Sequence, residues 1–158
     1  MECDWPNCPR YFRNNYENLK TKFTGAENIE NNWSQSMQDI FVMSMLDGKR
    51  NGVYVEIGAD QPRVISNTYL LEKDFDWSGI SFELDADKVA FFNTIRKNKC
   101  LCEDATLYNY KSLFEELNYP KQIDYLQLDI DPAEGTLNAL KVLPLNDYRF
   151  SVITYETD

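Results

Sequence analysis

Short apolar runs alternate with amphipathic segments along most of the chain. Runs rich in β-branched and aromatic residues predict five strands, at residues 53–57, 79–83, 99–102, 123–130 and 150–155. Between them, the pattern predicts four helices, at residues 67–73, 86–98, 110–117 and 137–143. Strands that alternate with helices in this way predict an α/β fold, namely a Rossmann-like parallel sheet with helices on both faces (an αβα sandwich).

Local signals at the helix ends support this order. A further helix before the first strand has apolar residues at helical spacing over residues 37–45, and Gly48 ends it. Ser36 and Asp39 at its start resemble a capping box, with Asp in place of the usual Glu or Gln. Asp85 is the predicted N-cap of the helix that follows the second strand.

The first 32 residues differ from the rest of the chain. They are polar and rich in asparagine, and they also carry aromatic residues that a disordered tail would lack. We therefore predict an N-terminal extension or lid over residues 1–32 and one Rossmann-like domain over residues 33–158.

The charge balance limits the kinds of partner. The chain has 158 residues, of which 16 are basic and 26 acidic, and its net charge is −10. Because a duplex-binding protein needs a basic surface to release counterions, we expect no nucleic-acid partner. No apolar run reaches the length of a membrane span, and the amino terminus has no signal-peptide pattern. We therefore expect a cytoplasmic protein with reduced thiols.

The chain contains no histidine. This excludes Ser-His-Asp and Cys-His catalysis as well as histidine-ligated zinc, and it leaves carboxylates, Lys, Tyr or Cys as candidates for a general base. The four cysteines, Cys3, Cys8, Cys100 and Cys102, lack the spacing of a zinc knuckle. We predict free thiols and no metal site, with a four-thiolate zinc site as the less favoured alternative.

Acidic residues recur near the points where the predicted strands end. They are Glu56, Asp60, Glu83, Asp104, Asp129 and Asp131. Because ligands of open parallel sheets bind beyond the carboxyl ends of the strands, we expect these side chains to form one acidic rim. Repulsion within such a rim is relieved by a cation or by a ligand rich in hydroxyl groups.

The turn after the first strand disfavours a pyrophosphate ligand. Residues 56–62 contain Gly58 but lack the second and third glycines of the dinucleotide fingerprint, and Pro62 lacks a backbone donor. An adenosyl compound without phosphates fits better, and the positive sulfonium of S-adenosylmethionine suits an acidic cleft. Methyl transfer also needs little acid–base machinery, because the leaving group departs as an uncharged thioether and alignment does most of the work.

Six stretches of the sequence together resemble one enzyme family. They run in order over most of the chain, at residues 34–39, 52–60, 66–72, 77–83, 125–131 and 150–156. This ordered set resembles the FkbM-type methyltransferases, a branch of the Rossmann-like S-adenosylmethionine-dependent methyltransferases. The resemblance implies S-adenosyl-L-methionine as the cofactor. It also implies O-methylation of a small-molecule or glycan acceptor, such as a sugar or a glycosylated metabolite.

The resemblance further implies which residues bind the cofactor. They are Glu56, Gly58, Ala59, Asp60, Asn67, Glu83, Asp104, Ala105 and Asp129. Those expected to border the methionine moiety are Glu56, Gly58 and Asp60. Glu83 would hold the ribose, and Asp104 with Ala105 would flank the adenine. Asp129 would lie near the transferred methyl group as the base or the acceptor-positioning group, with Asp131 as the second candidate catalytic residue.

Two other functions stay open. Asp129-Ile130-Asp131 is an Asp-x-Asp motif whose carboxylates strand alternation would put on one side, as a metal-dependent glycosyltransferase requires. The other is a degenerate, non-catalytic Rossmann-like binding module. Thr157 at the place of an expected histidine and the end of the sequence just past the fifth strand favour it. Residues 61–62 also depart from the family pattern, because they replace a glycine-containing turn.

The sequence ends at Asp158, just past the fifth predicted strand. Sheets of the resembled family add two further strands, one of them antiparallel. We therefore expect either a longer protein or a partner, such as a second copy of the chain, that covers the exposed sheet edge.

Overall fold

The computed structural model describes residues 21–157, which contain one sheet. Its strands are β1 (Val53–Ile57), β2 (Ser78–Glu83), β3 (Lys99–Cys102), β4 (Gln122–Leu128) and β5 (Arg149–Tyr155). They pair in the order β3-β2-β1-β4-β5, and every pairing is parallel. Each strand begins and ends within two residues of its predicted bounds.

Helices cover both faces of this sheet. They are α1 (Gln38–Met45), α2 (Tyr69–Phe75), α3 (Ala86–Ile95), α4 (Tyr110–Glu116) and α5 (Ala133–Val142). α1 and α2 share a core with Tyr54 and Tyr125 of the sheet, whereas α4 and α5 share a second core with Val55 and Leu126. Because neighbouring residues of a strand point to opposite faces, the two cores lie on opposite sides of the sheet. The structure confirms the predicted α/β, Rossmann-like fold.

The strand order reverses between β1 and β4. The chain proceeds from β1 to β2 and β3 on one side and then places β4 and β5 on the other. Backbone bonds continue past the strand ends here: the Asp129 N–H donates to the Ile57 carbonyl (2.9 Å), and the Gly58 N–H donates to the Phe82 carbonyl (3.0 Å). The loops after β1 and β4 therefore start from fixed positions at a topological switch point, where such sheets bind their ligands.

Residues 21–32 pack against the domain. Phe23 and Ile29 are buried in the core that contains α1 and α2, and the ring centroids of Phe23 and Phe75 lie 6.4 Å apart. The described part of the predicted N-terminal extension is therefore a docked segment. The prediction of a lid over the remaining residues, 1–20, lies outside the described part of the chain.

The predicted capping box at the start of α1 is wrong. Met37 is the N-cap of the helix, with a left-handed backbone (φ 60°), and its side chain makes no capping hydrogen bond. Asp39 accepts hydrogen bonds instead from the Trp33 N–H (2.6 Å) and the Ser34 hydroxyl (2.7 Å). A buried carboxylate needs such donors, and the loop before α1 supplies them where Ser36 does not. Asp39 thereby fastens that loop to the helix.

Two helix ends differ from their predicted positions by more than two residues. α5 begins at Ala133 instead of residue 137. Its first turn is held by hydrogen bonds between the Thr136 hydroxyl and the backbone of Ile130 (2.8 and 3.0 Å), which the pattern of apolar residues does not reveal. α3 ends at Ile95, because Arg96 adopts an extended backbone (φ −99°, ψ 149°). Arg96 is buried as a result, and its side chain is 0% exposed.

β5 is an edge of the sheet formed by residues 21–157. Ile153 and Tyr155 on this strand remain 47% and 38% exposed. A further strand or a partner at this edge stays a prediction.

The close approach of the β1 and β4 loops predicts a strict requirement for glycine at position 58. Gly58 has φ +83°, and a Cβ there would lie 1.7 Å from the Asp129 carbonyl oxygen. We expect Gly58→Ala to lower the free energy of unfolding by at least about 2 kcal/mol, because backbone strain and overlap add. Urea denaturation measures this loss.

Gly25→Ala is the matched control for that substitution. Gly25 has nearly the same dihedral angle (φ +86°), but a Cβ there would meet only the Phe75 ring at 3.5 Å. Strain alone should then cost about 1 kcal/mol. Equal losses for the two variants would show that the contact with Asp129 does not restrict position 58.

Candidate functional site

A cavity of about 740 Å³ lies beyond the carboxyl ends of the strands, at the switch point between β1 and β4. Its acidic lining residues are Asp60, Glu83, Asp85, Glu103, Asp104, Asp129, Asp131 and Glu156. Within residues 21–157, Lys88 is the one basic residue of this lining. The loops after all five strands thus contribute carboxylates to one surface, which we call the first cavity.

The carboxylate of Glu83 is fixed at the end of β2 by backbone donors. Oε2 accepts a hydrogen bond from the Asp60 N–H (3.0 Å), and Oε1 accepts from the N–H groups of Leu84 (2.8 Å) and Asp85 (3.0 Å). A carboxylate has about four lone-pair positions, so three bonds leave it able to accept from a ligand. Glu83 is therefore a pre-oriented acceptor in the wall of the first cavity.

Asp104 and Ala105 form the part of the wall that follows β3. Asp104 Oδ1 accepts from the hydroxyl (2.6 Å) and the N–H (2.8 Å) of Thr106, and these bonds lower the pKa of Asp104. Ala105 is buried and supplies an apolar surface beside it. A polar acceptor next to an apolar patch suits a flat heteroaromatic ring with an amino group.

Asp129 and Asp131 lie in the loop after β4, and both line the first cavity. β4 ends at Leu128, so the predicted extension of this strand to residue 130 is wrong. The two carboxylates are therefore not placed by strand alternation. Asp129 is positioned by its N–H bond to Ile57 and by the contact of its carbonyl with Gly58.

Asp60 lies in the loop after β1 with a left-handed backbone (φ 44°). Its carboxylate pairs with the ammonium group of Lys88, and both residues line the first cavity. The Lys88 side chain is 41% exposed, so the pair contributes little stability. It does neutralise part of the negative charge of the wall.

Three of the predicted site residues do not line the first cavity, and two of them, Glu56 and Ala59, lie beneath it. Glu56 is 1% exposed, and its carboxylate accepts from the hydroxyls of Thr68 (2.8 Å) and Ser81 (2.6 Å). Burial raises the pKa of Glu56, and the charge of Arg96 opposes that rise. Ala59 is buried in a small apolar cluster between α3 and the sheet. The structure thus places both residues beneath the site.

Arg96, which sequence reasoning missed, organises the polar interior beneath the first cavity. Its Nε donates to Glu72 (2.9 Å), and its two Nη atoms donate to the Pro62 carbonyl (3.1 Å) and to the hydroxyls of Ser66 (3.3 Å), Tyr54 (3.1 Å) and Thr68 (3.0 Å). Three of these partners belong to the loop between β1 and α2. Arg96 therefore connects that loop to the strand and to the helix that flank it.

A second, smaller cavity of about 280 Å³ adjoins the first. Asp129 and Glu156 line both cavities. The resemblance implied Asn67 as a cofactor-binding residue. Of these two cavities, Asn67 lines the second and not the first. The structure therefore separates Asn67 from the predicted residues that line the first cavity, except for Asp129, which lines both.

The cysteines of the described region are unpaired. Cys100 is buried and Cys102 is exposed, and both are free. Burial raises the pKa of Cys100 to about 12. Within residues 21–157, no group of three or more His, Cys, Asp or Glu side chains is arranged to hold a metal ion. Cys3 and Cys8 lie outside the described residues.

We compared the chain with protein-family models, with curated proteins and with solved structures, and none of them matched it. Among the helices of residues 21–157, none has both the length and the apolar character needed to cross a membrane.

The network around Arg96 predicts a large loss of stability on its removal. We expect Arg96→Met to lower the free energy of unfolding by about 3–5 kcal/mol, because the buried carboxylates of Glu56 and Glu72 lose their compensating charge. Arg50→Met is the control, since Arg50 pairs with Asp76 at the surface and both side chains are more than half exposed. Its loss should stay below about 1 kcal/mol in the same urea titration. Similar losses would show that Arg96 is not a central support.

Proposed function

We propose that this protein is an S-adenosylmethionine-dependent methyltransferase that transfers a methyl group to a hydroxyl of a sugar or glycosylated metabolite. The observation that carries the proposal is the carboxylate of Glu83, held at the end of β2 by three backbone donors in the wall of an acidic cavity. Such a group can accept hydrogen bonds from ribose hydroxyls. The free thiols of Cys100 and Cys102 suit the reducing cytoplasm in which we place the enzyme.

The charge of the first cavity supports this cofactor over a phosphorylated one. Eight acidic residues and one lysine from residues 21–157 line the cavity, and that lysine is paired with Asp60. A pyrophosphate would be repelled by this wall, whereas a sulfonium cation would be attracted. Asp104 and Ala105 would receive the adenine, and Glu83 the ribose. Gly58 and Asp129 would border the methionine end.

S-adenosylmethionine, when bound, supplies an activated methyl group whose leaving group is an uncharged thioether. The protein then has to align the acceptor oxygen with that methyl group and to receive the hydroxyl proton. In this proposal Asp129 receives the proton, and its support is that Asp129 lines both cavities. Asp131 lines the first cavity but not the second, and it is the second candidate for receiving the proton. No histidine is needed for this chemistry.

Calorimetric titration tests the cofactor site. We expect the chain to bind S-adenosylmethionine and S-adenosylhomocysteine, and Glu83→Gln to weaken both by about 10–100-fold, because hydrogen bonds to a charged acceptor are lost. Glu116→Gln removes the same charge from an exposed position on α4 outside the cavity and should leave the affinity unchanged. Thermal unfolding of each variant checks that the fold is retained.

The same titration separates the alternatives. A wild-type chain that binds neither compound contradicts the proposal. The glycosyltransferase alternative rests on Asp129 and Asp131, which both line the first cavity. Binding of uridine diphosphate that requires Mn²⁺ and is lost in Asp131→Asn would favour the glycosyltransferase. Cofactor binding without transfer to any acceptor would favour the non-catalytic module.

A further inference from the structure

The second cavity contains a buried hydrogen-bond acceptor without a partner. Asn67 is 6% exposed, and its Oδ1 is buried and forms no hydrogen bond within residues 21–157. A buried polar atom left without a partner costs about 1–3 kcal/mol, and such atoms are rare in folded proteins. The position of Asn67 in the wall of a cavity indicates that a ligand supplies the missing donor.

The loop around Asn67 holds the backbone of this residue in place. The residues on either side, Ser66 and Thr68, both accept hydrogen bonds from the buried guanidinium of Arg96. The Thr68 hydroxyl also donates to Glu56 (2.8 Å). Because both neighbours are fixed, the backbone of Asn67 is held in the wall of the second cavity. The amide is therefore presented from a defined position of the chain.

The other polar groups of the second cavity include donors. Gln38 Oε1 accepts from the Ser36 N–H (2.8 Å), and Gln127 Oε1 accepts from the Ile57 N–H (3.1 Å). Each amide thus keeps its NH₂ group for another partner, and both residues line the cavity. A hydroxyl group both donates and accepts, so it can satisfy Asn67 and these amides together. An ammonium group can only donate.

Charge and size narrow the ligand further. The second cavity has Asp129 and Glu156 in its lining and no basic residue from the described part of the chain, so a carboxylate or phosphate would be repelled. Its volume of about 280 Å³ lies just below the range of drug-sized pockets, which suits one ring instead of an extended chain. The chemistry of the wall therefore fits an uncharged ring that carries hydroxyl groups.

We propose that the second cavity is the acceptor subsite and that Asn67 is its specificity-determining residue, whose Oδ1 accepts a hydrogen bond from a hydroxyl of an uncharged acceptor ring. This inference rests on the proposed methyltransferase function, and it removes Asn67 from the set of cofactor-binding residues. Asp129, which lines both cavities, would then face the acceptor and the cofactor together.

Thermal unfolding of Asn67→Leu tests whether the oxygen lacks a partner in the free protein. Leu has the same branching at Cγ as Asn and removes an unsatisfied buried group, so we expect a rise of about 2–4 °C in Tm. Asn98→Leu is the matched control, because Asn98 donates to both Glu72 (2.9 Å) and the Trp77 carbonyl (3.1 Å) and its loss should lower Tm. A fall for Asn67→Leu like that of the control would overturn the proposal.

Binding measurements on the same variant separate the two cavities. S-adenosylhomocysteine affinity should change by less than about twofold in Asn67→Leu, and a tenfold loss would return Asn67 to the cofactor site. Saturation-transfer NMR with methyl α-D-glucopyranoside, methyl α-D-mannopyranoside and methyl α-L-rhamnopyranoside probes the acceptor. We expect a signal from at least one of them with the wild type and with Glu83→Gln. That signal should disappear with Asn67→Leu.

Failure of this inference is distinguishable from failure of the proposed function. Absence of any glycoside signal from the wild type would overturn the acceptor subsite while cofactor binding could still hold. A glycoside signal that needs Asn67, in a chain that binds neither S-adenosylmethionine nor S-adenosylhomocysteine, would refute the methyltransferase and with it the role of this cavity as a methyl-acceptor subsite.

Discussion

The buried guanidinium of Arg96 is the interaction on which the rest of the site depends. A charge removed from water must be matched by opposite charge and by hydrogen bonds at short range. Glu72 and the nearby Glu56 provide the charge, and the remaining bonds go to a hydroxyl of β1 and to atoms of the loop between β1 and α2. That loop lies outside any helix or strand. Its position is therefore set largely by one side chain that belongs to another part of the chain.

This constraint explains why acidic residues that look alike in the sequence have different surroundings. Glu56 points into the interior, where Arg96, Thr68 and Ser81 surround it. Its charge balances the guanidinium and is not presented to a ligand. The carboxylates that follow the other strand ends lie beyond the sheet, and their mutual repulsion is relieved only in part by Lys88. An acidic cavity of this kind is stabilised by a cationic or hydroxyl-bearing ligand.

The strands and the acidic rim could be predicted from the sequence because each depends on local information. Buried parallel strands appear as short apolar runs, and the loops after them must meet at one edge of the sheet. Asp85 is likewise a local signal, and it caps α3 through the N–H groups of Asp87 and Lys88 as predicted. The predicted set at the edge was therefore largely brought together, with Glu83 and Asp104 in one wall.

The polar interior could not be predicted, because its partners are distant in sequence. Arg96 lies in a run of basic and polar residues that is typical of an exposed helix end, and Glu72 lies on a helix as surface glutamates do. Nothing local indicates that they pair 24 residues apart in the interior. The same reason accounts for Asp39, whose donors come from the loop before the helix and not from the expected cap.

The two cavities have different supports, and this bears on how methyl transfer would be aligned. The first cavity is formed where backbone bonds extend the β1–β4 ladder to Asp129 and where Gly58 permits close contact with its carbonyl. The second cavity is lined mainly by residues at the ends of β4 and β5, and the loop that Arg96 holds contributes Asn67 to it. Asp129 belongs to both walls, so it is the point at which the two supports meet. A methyl donor and a methyl acceptor that are held by different parts of the chain stay aligned only if neither part moves. Small displacements of reacting groups lower the rate by large factors. The hydrogen bonds of the buried Arg96 limit the movement of the loop that carries Asn67. The close contact at Gly58 limits the movement of the loop that carries Asp129.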